Sequence, residues 1–131
     1  MSDSSLQDIC PTHLQKTRTL MTALAGEARG RILNLGCGTG KHTQLLLSEG
    51  FSVVSTDIDI ENLKIVKKIS RDVVLADASM LPFKQDAFDS LSCIDVLEHV
   101  EKDIDCLAEI KRTVRSQGMV ILSVPVKSYP F

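Results

Sequence analysis

The stretch from Arg31 to Asp59, RILNLGCGTGKHTQLLLSEGFSVVSTDID, decides the fold of this chain. An apolar run at 31–35 is followed by three glycines, a helix-like segment and a second apolar run that ends in aspartate residues. Short apolar runs bounded by turn residues predict buried strands, and Lys41–Ser48, closed by Gly50, predicts a helix. The stretch therefore predicts a strand, a glycine loop, a helix and a second strand.

The same alternation of apolar runs and helix-like segments continues through the chain. Strands are predicted at 31–35, 51–56, 72–77, 88–95 and 118–125. Helices are predicted at 12–25, 41–48 and 60–69. The spacing of Ile104, Leu107 and Val114 predicts a further helix between the last two strands. Strands that are apolar on both faces and alternate with helices indicate an α/β fold, a mainly parallel sheet covered by helices on both sides.

Length, charge and cysteine content narrow the functional classes. The 131 residues predict a single domain, and a formal net charge of -2 offers no general attraction for nucleic acid. The N-terminus is polar and no apolar run reaches the length of a membrane span, so we expect no membrane segment and a cytoplasmic location. The four cysteines form no CxxC pair, so no metal site is predicted.

Glycine or aspartate residues follow each of the first four predicted strands. They are Gly36, Gly38 and Gly40 after the first strand, Asp57 after the second, Asp77 after the third and Asp95 after the fourth. Ligands of open parallel sheets bind at this edge, and glycine lets a ligand lie against the backbone. Asp57 stands 21 positions after Gly36, a spacing at which an acid meets a ribose diol. The pattern therefore predicts an adenosine-type cofactor.

Two other nucleotide-binding motifs fit the glycine loop less well. A phosphate-binding P-loop needs a glycine where Leu35 stands and a hydroxyl where His42 stands, so that motif fails twice. The dinucleotide fingerprint G-x-G-x-x-G fails once, because Lys41 occupies its sixth place. A nucleotide-dependent oxidoreductase is thus disfavoured but stays open.

Three segments resemble the motifs of class I S-adenosylmethionine-dependent methyltransferases. They are ILNLGCGTGKHT at 32–43, VVSTDID at 53–59 and LADASMLPFKQDAFDSLSCIDVLEHV at 75–100. The chain is similar in particular to the small-molecule branch that includes ubiquinone and menaquinone biosynthesis methyltransferases. The resemblance covers about 31–125 and implies a Rossmann-like three-layer sandwich with strand order 3-2-1-4-5 and S-adenosyl-L-methionine as cofactor. It divides residues 1–131 into an N-terminal helical segment at 1–29, a cofactor-binding core at 30–125 and a tail at 126–131.

The resemblance implies a set of contacts to the amino-acid end of the cofactor. The loop placed against that end comprises Gly36, Cys37, Gly38 and Gly40. Ile94 would line the methionine portion. Asn34 stands where the family usually has an acid, so it keeps an acceptor oxygen but loses the charge that favours the ammonium group of the cofactor.

At the adenosine end the resemblance implies five further contacts. Asp57 would accept hydrogen bonds from both ribose hydroxyls, and Ile58 would pack on the adenine. Asp77 would accept from the adenine amino group, with Ala78 and Ser79 beside it. Carboxylates accept from hydroxyls and amines, and apolar walls suit a flat base, so these roles agree with the chemistry of the residues.

No residue is assigned as catalytic, because methyl transfer from a sulfonium depends mostly on positioning the acceptor. Glu98 and His99 are the candidates for a general base because they follow the fourth strand near the expected methyl group, but we expect a helix-starting glutamate and a histidine held by packing. The leading hypothesis is a methyltransferase acting on a small-molecule acceptor. The alternative is a catalytically inactive or truncated module of the same fold that binds the cofactor or a partner.

The fifth strand is the last one predicted, although the resemblance implies a further helix and an antiparallel pair of strands after it. An unpaired fifth strand would be an exposed edge, which proteins usually cover. We therefore expect that a second copy of the chain or another partner covers this edge, or that the chain is a fragment.

Overall fold

A five-stranded, fully parallel sheet with the order β3-β2-β1-β4-β5 forms the centre of the structure. The computed structural model describes residues 30–124, together with residues 18, 19 and 22. The strands are β1 (Arg31–Leu35), β2 (Ser52–Asp57), β3 (Val73–Leu75), β4 (Phe88–Ile94) and β5 (Val114–Ser123). The predicted α/β class and the strand order implied by the resemblance are confirmed.

Three α-helices and one short 3₁₀ helix connect the strands of the described part. They are α1 (Lys41–Ser48), α2 (Ile60–Val66), the 3₁₀ helix Leu97–His99 and α3 (Asp103–Thr113). Residues 18, 19 and 22 are helical, but the rest of the helix predicted at 12–25 lies outside the described residues. None of the described helices has the length and apolar character needed to cross a membrane.

Alternation along β1 divides the core between the two faces of the sheet. Ile32 belongs to a buried cluster that includes Leu46 of α1, whereas Leu33 belongs to a cluster that includes Cys106 and Ile110 of α3. Successive side chains of a strand point to opposite faces, so α1 and α3 cover opposite sides of the sheet. This arrangement is the predicted three-layer sandwich.

The helix predicted between the last two strands is present as α3, but the apolar residues whose spacing predicted it are not the ones that it buries. Ile104 is 74% exposed and Leu107 is 43% exposed, while Val114 belongs to β5. The buried side chains of the helix are Cys106, Ile110 and Thr113. These three also follow helical spacing. The Thr113 hydroxyl donates to the Glu109 carbonyl at 2.8 Å, so its burial leaves no unpaired hydroxyl.

Three strands differ in length from the prediction. β4 ends one residue early, at Ile94, and the differences at β3 and β5 are larger. β3 ends at Leu75 because Asp77 enters a turn, with its backbone bridged to Met80. β5 begins at Val114 rather than at residue 118, and its register shifts between Phe88 and Ser90 of β4. The intervening residues 115–118 form a bulge in which Gln117 has a φ of 62°.

Candidate cofactor-binding site

A cavity of about 450 Å³ lies at the carboxyl ends of the central strands. It is lined by Leu35, Gly36, Thr56, Asp57, Ile58, Ala76, Asp77, Ala78, Ser79, Asp95, Val96, His99, Val100, Glu101 and Lys102. The strand ends of β1, β2 and β4 meet here because the sheet is parallel and its order reverses at β1, with β2 on one side and β4 on the other. Six residues of the implied cofactor site are therefore brought together: Gly36, Asp57, Ile58, Asp77, Ala78 and Ser79.

The glycine loop between β1 and α1 needs backbone angles that favour glycine. Gly36 has a φ of 69°, and a Cβ added there would collide with the side chain of Val96. Gly38 has a φ of 54°, and no heavy atom lies within 4 Å of the position its Cβ would take. A side chain at Gly36 would thus disrupt the fold, whereas Gly38 leaves open space beside the backbone.

The Asp57 carboxylate is oriented by the backbone on both sides. Its Oδ2 accepts from the Gly38 N–H at 2.8 Å, and its Oδ1 accepts from the Asp59 N–H at 2.9 Å. A carboxylate offers about four acceptor positions, so these two bonds leave about two for a ligand. The end of β2 and the glycine loop together hold the acid in place at the wall of the cavity.

Asp77 occupies a tight turn after β3. Its Oδ1 accepts from the Ser79 N–H at 2.9 Å and from the Ser79 hydroxyl at 2.7 Å. These bonds lower the pKa of Asp77 below its ordinary value, first through the backbone N–H and then through the hydroxyl. The carboxylate is therefore ionised at neutral pH, and both of these bonds fall on Oδ1.

The cavity wall combines apolar surface with an excess of negative charge. Ile58 is 73% exposed, an unusual position for a large aliphatic side chain. Four carboxylates line the cavity, those of Asp57, Asp77, Asp95 and Glu101, against the single lysine Lys102. This lining favours a ligand that carries positive charge and has an apolar face, and it disfavours a pyrophosphate.

Asn34 lies outside the cavity lining, in a buried polar network under the glycine loop. It is 2% exposed, its Nδ2 donates to Thr43 Oγ1 at 2.8 Å, and its Oδ1 accepts from Ser92 Oγ at 3.2 Å. Thr43 Oγ1 also lies 2.8 Å from Ser55 Oγ. The network joins β1, α1, β2 and β4, so the structure gives the Asn34 amide protein partners on both of its polar atoms.

Four further residues of the implied site, Cys37, Gly38, Gly40 and Ile94, do not line the cavity. Cys37 is buried with Leu63 and Val66 of α2, and this burial, with the nearby Asp57 charge, raises the pKa of its thiol to about 12. Gly40 precedes α1 with a φ of 98°, and Ile94 packs on the cluster that contains α1. Gly38 meets the site through its N–H bond to Asp57. Cys37 is therefore a neutral packing residue, as its small size in the loop indicates.

Several cavity residues were not assigned to the site from the sequence. Asp95 has a left-handed φ of 54°, and its Oδ1 accepts from the Ser123 hydroxyl at 3.1 Å. The rule that ligands bind at strand ends singled out Asp95 but could not show which way its side chain points. Val96 and Val100 lie within the segment 75–100 that carries the resemblance but were given no role there, and Lys102 lies just after it. Their packing around β4 brings them to the cavity.

His99 also lines the cavity, and the expectation that packing holds it is wrong. Its side chain is 79% exposed, and its Nε2 lies 3.4 Å from Oε1 of Glu98. The 3₁₀ helix is too short to bury it, so the imidazole projects from the cavity rim. Among the described residues, no group of three or more histidine, cysteine, aspartate or glutamate side chains is arranged to hold a metal ion.

Known proteins are similar to this chain over the same region. A family described as a methyltransferase domain matches residues 33–122. The chain is 33% identical over 104 residues to the mitochondrial ubiquinone biosynthesis O-methyltransferase of Schizosaccharomyces pombe, covering 71% of this chain and 37% of that protein. It is 28% identical over 112 residues to the demethylmenaquinone methyltransferase of Renibacterium salmoninarum, covering 83% of this chain and 47% of that protein.

A solved structure supports the same fold. The crystal structure of a Pyrococcus horikoshii protein matches with a TM-score of 0.74 at 25% identity, covering 83% of this chain and 56% of that one. The chain spans less than half the length of the two curated relatives named above. The family match covers more than half of the 131 residues. The chain therefore belongs to the methyltransferase domain family, which confirms the resemblance found in the sequence and implies S-adenosylmethionine as the cofactor.

Proposed function

We propose that this chain binds S-adenosylmethionine in the cavity and supports methyl transfer from it to a small-molecule acceptor. The observation that carries the proposal is the Asp57 carboxylate, which the Gly38 N–H holds at 2.8 Å beside open space. Its remaining acceptor positions suit the two neighbouring hydroxyls of a ribose. Family membership supports the same cofactor.

The charge of the cavity separates this cofactor from a dinucleotide. S-adenosylmethionine carries a sulfonium and an ammonium against one carboxylate, so its net charge is positive. Four acids and one lysine line the cavity, and a dinucleotide would bring two negative phosphates against them. An oxidoreductase using a nicotinamide cofactor is therefore disfavoured on electrostatic grounds as well as by the glycine spacing.

The residues of the implied site would contribute to cofactor binding in three ways: by hydrogen bonds, by apolar contact and by shaping the loop and β4. Asp57 and Asp77 would accept hydrogen bonds from the ribose hydroxyls and the adenine amino group. Ile58 and Ala78 would cover the faces of the base, and burial of the exposed Ile58 side chain would itself favour binding. Asn34, Cys37, Gly40 and Ile94 would act through the shape of the loop and of β4 rather than through the cavity wall.

When bound, the sulfonium supplies an activated methyl group and a good leaving group. The task left to the chain is to hold the acceptor in line with that methyl group, which can lower the barrier by several kcal/mol. His99 projects from the rim of the cavity next to Glu98. Histidine is the side chain that most often serves as a general base, so His99 is the candidate base for an acceptor that must lose a proton.

Calorimetric titration with S-adenosylmethionine and S-adenosylhomocysteine, with NADH as the control ligand, tests the proposal. Asp57→Asn keeps the shape of the side chain but removes its charge, and we expect it to weaken binding of both adenosyl ligands by roughly ten- to a hundredfold. Asp59→Asn is the matched control, because Asp59 caps α2 outside the cavity and asparagine also caps helices. Tighter binding of NADH, or equal binding by the Asp57 and Asp59 variants, would contradict the proposed function.

A further inference from the structure

The segment between β3 and β4 builds one wall of the cavity without regular secondary structure. Residues 76–87 contain no helix and no strand, apart from an isolated bridge between Asp77 and Met80. The residues that reach the cavity, Asp77, Ala78 and Ser79, lie near the beginning of this segment. Their position therefore depends on what holds the segment on either side of them.

On its N-terminal side the turn is tied to the sheet. The Ala76 N–H donates to the Asp57 carbonyl at 3.1 Å, which continues the pairing of β3 with β2. The turn itself is closed by the Met80 N–H, which donates to the Asp77 carbonyl at 3.0 Å. These bonds fix the entry of the turn but not the direction in which the chain leaves it.

On its C-terminal side the segment is held by two side chains of α3. The Leu81 N–H donates to Glu109 Oε2 at 2.9 Å, and the Leu81 carbonyl accepts from Arg112 Nη2 at 3.0 Å. Arg112 Nη1 donates to the Phe83 carbonyl at 2.6 Å. Both backbone groups of Leu81 are thus bound by one ion pair from a helix about thirty residues further along the chain.

Glu109 and Arg112 also form a salt bridge with each other, through two hydrogen bonds. Arg112 Nε donates to Glu109 Oε1 at 3.0 Å, and Arg112 Nη2 donates to Glu109 Oε2 at 2.6 Å. Bidentate arginine–carboxylate pairs have fixed geometry, and these side chains are only 34% and 20% exposed. Neither residue lines the cavity, so the pair can affect a ligand only through the segment that it holds.

We propose that Glu109 and Arg112 are positioning residues of the cofactor site, which hold the turn of Asp77, Ala78 and Ser79 at the distance from Asp57 that an adenosyl group needs. This inference rests on the proposed function. The two anchors lie on either side of the turn, at Ala76 and at Leu81. Loss of the second anchor frees the turn to move away from Asp57 while the sheet and the glycine loop stay intact.

Hydrogen exchange and S-adenosylhomocysteine titration of three variants test this role. Glu109→Gln and Arg112→Lys keep size but break the bidentate geometry. Arg115→Lys is the matched control, because Arg115 pairs with Asp89 at the opposite end of β4 from the cavity. We expect faster exchange of the Leu81 amide and at least fivefold weaker binding in the first two variants, with neither change in the control. Thermal unfolding confirms that each variant is folded.

A double-mutant cycle distinguishes positioning from general destabilisation. If Arg112 acts through the turn, its effect on binding depends on Asp77. We therefore expect Arg112→Lys to weaken binding by less than twofold when Asp77→Asn is already present, against at least fivefold in the unmodified chain. Additive effects, or unchanged binding by variants whose Leu81 amide exchanges faster, would overturn the positioning role. Absence of binding by the unmodified chain would overturn the proposed function instead, and with it this role, while the exchange data would still report whether the ion pair holds the segment.

Discussion

At the scale of single residues, the surroundings of a polar side chain determine whether it faces the cavity or forms hydrogen bonds inside the protein. Asp57 accepts hydrogen bonds from two backbone N–H groups and still faces the cavity. The Asn34 amide instead forms hydrogen bonds with Thr43 and Ser92 in the interior. The difference follows from strand alternation, because Asn34 points to the α1 side of the sheet and Asp57 lies at a strand end. Motif position alone predicts both as ligand contacts, so the side-chain network is what separates them.

Thr56 provides a test at this scale. Its side chain is fully buried at the cavity wall, and its Oγ1 has no hydrogen-bond partner among the described residues. Thr56→Val removes a desolvated hydroxyl from a β-strand, so we expect stabilisation of about 1 kcal/mol and a rise in Tm of about 3 °C. Thermal unfolding in the absence of ligand measures it, and an unchanged or lower Tm would show that the hydroxyl is satisfied.

At the scale of elements, α3 differs from its prediction because local periodicity does not define which face packs. Its apolar residues Ile104 and Leu107 face outward, while Cys106 and Ile110 are buried. The helix is rotated so that Glu109 and Arg112 reach the backbone of the segment after β3. The spacing of the apolar residues therefore predicted correctly that the helix exists, but it does not identify the face that the helix buries.

Truncation of two isoleucines in the same helix tests the observed rotation of α3. Ile110→Ala empties a buried site and should destabilise the fold by about 2–4 kcal/mol. Ile104→Ala removes a side chain that is 74% exposed, so its effect should stay within about 0.5 kcal/mol. Urea unfolding of the two variants gives the free energies. Comparable losses would indicate that Ile104 is buried as well as Ile110, which would contradict the observed rotation of α3.

At the scale of the whole molecule, carboxylates tie together segments that are distant in the chain. Asp89 Oδ2 accepts from the Arg31 N–H at 2.8 Å and its Oδ1 accepts from Arg115 Nε at 2.9 Å, which joins β1, β4 and the bulge of β5. Glu109 joins α3 to Leu81 in the same way. β5 is an edge of the described sheet, and its coverage by a second copy or another partner stays a prediction, which light scattering would test.

These ties predict how stability depends on pH. The pKa of Asp89 is lowered mainly by the Arg31 N–H, and that of Glu109 mainly by Arg112. A carboxyl whose pKa is lower in the folded state contributes stability that is present above its unfolded pKa, about 4, and is lost as pH falls through the folded value. The urea midpoint should therefore fall as pH decreases below about 4.

We expect Asp89→Asn and Glu109→Gln each to lower the urea midpoint at pH 7. Each variant should also show a smaller decrease of the midpoint on acidification, because each removes one group that binds a proton on unfolding. Urea titrations at pH 7 and at about pH 3.5 measure both effects. An unchanged acid dependence in both variants would show that other groups govern it.

Much of the architecture follows from the amino-acid sequence alone. The glycines after Leu35, the apolar strands and the acids at 57 and 77 are local signals, and parallel pairing brings them to one edge of the sheet. The fold class and the places of Gly36, Asp57 and Asp77 in the cavity could therefore be predicted from the residues themselves. The other three predicted cavity residues, Ile58, Ala78 and Ser79, followed only from the resemblance to the family. The tertiary structure alone decided that Asn34 turns inward, that His99 projects from the rim and that Glu109 and Arg112 hold Leu81. These facts depend on contacts between segments far apart in the chain, whose geometry is set by packing and leaves no local pattern.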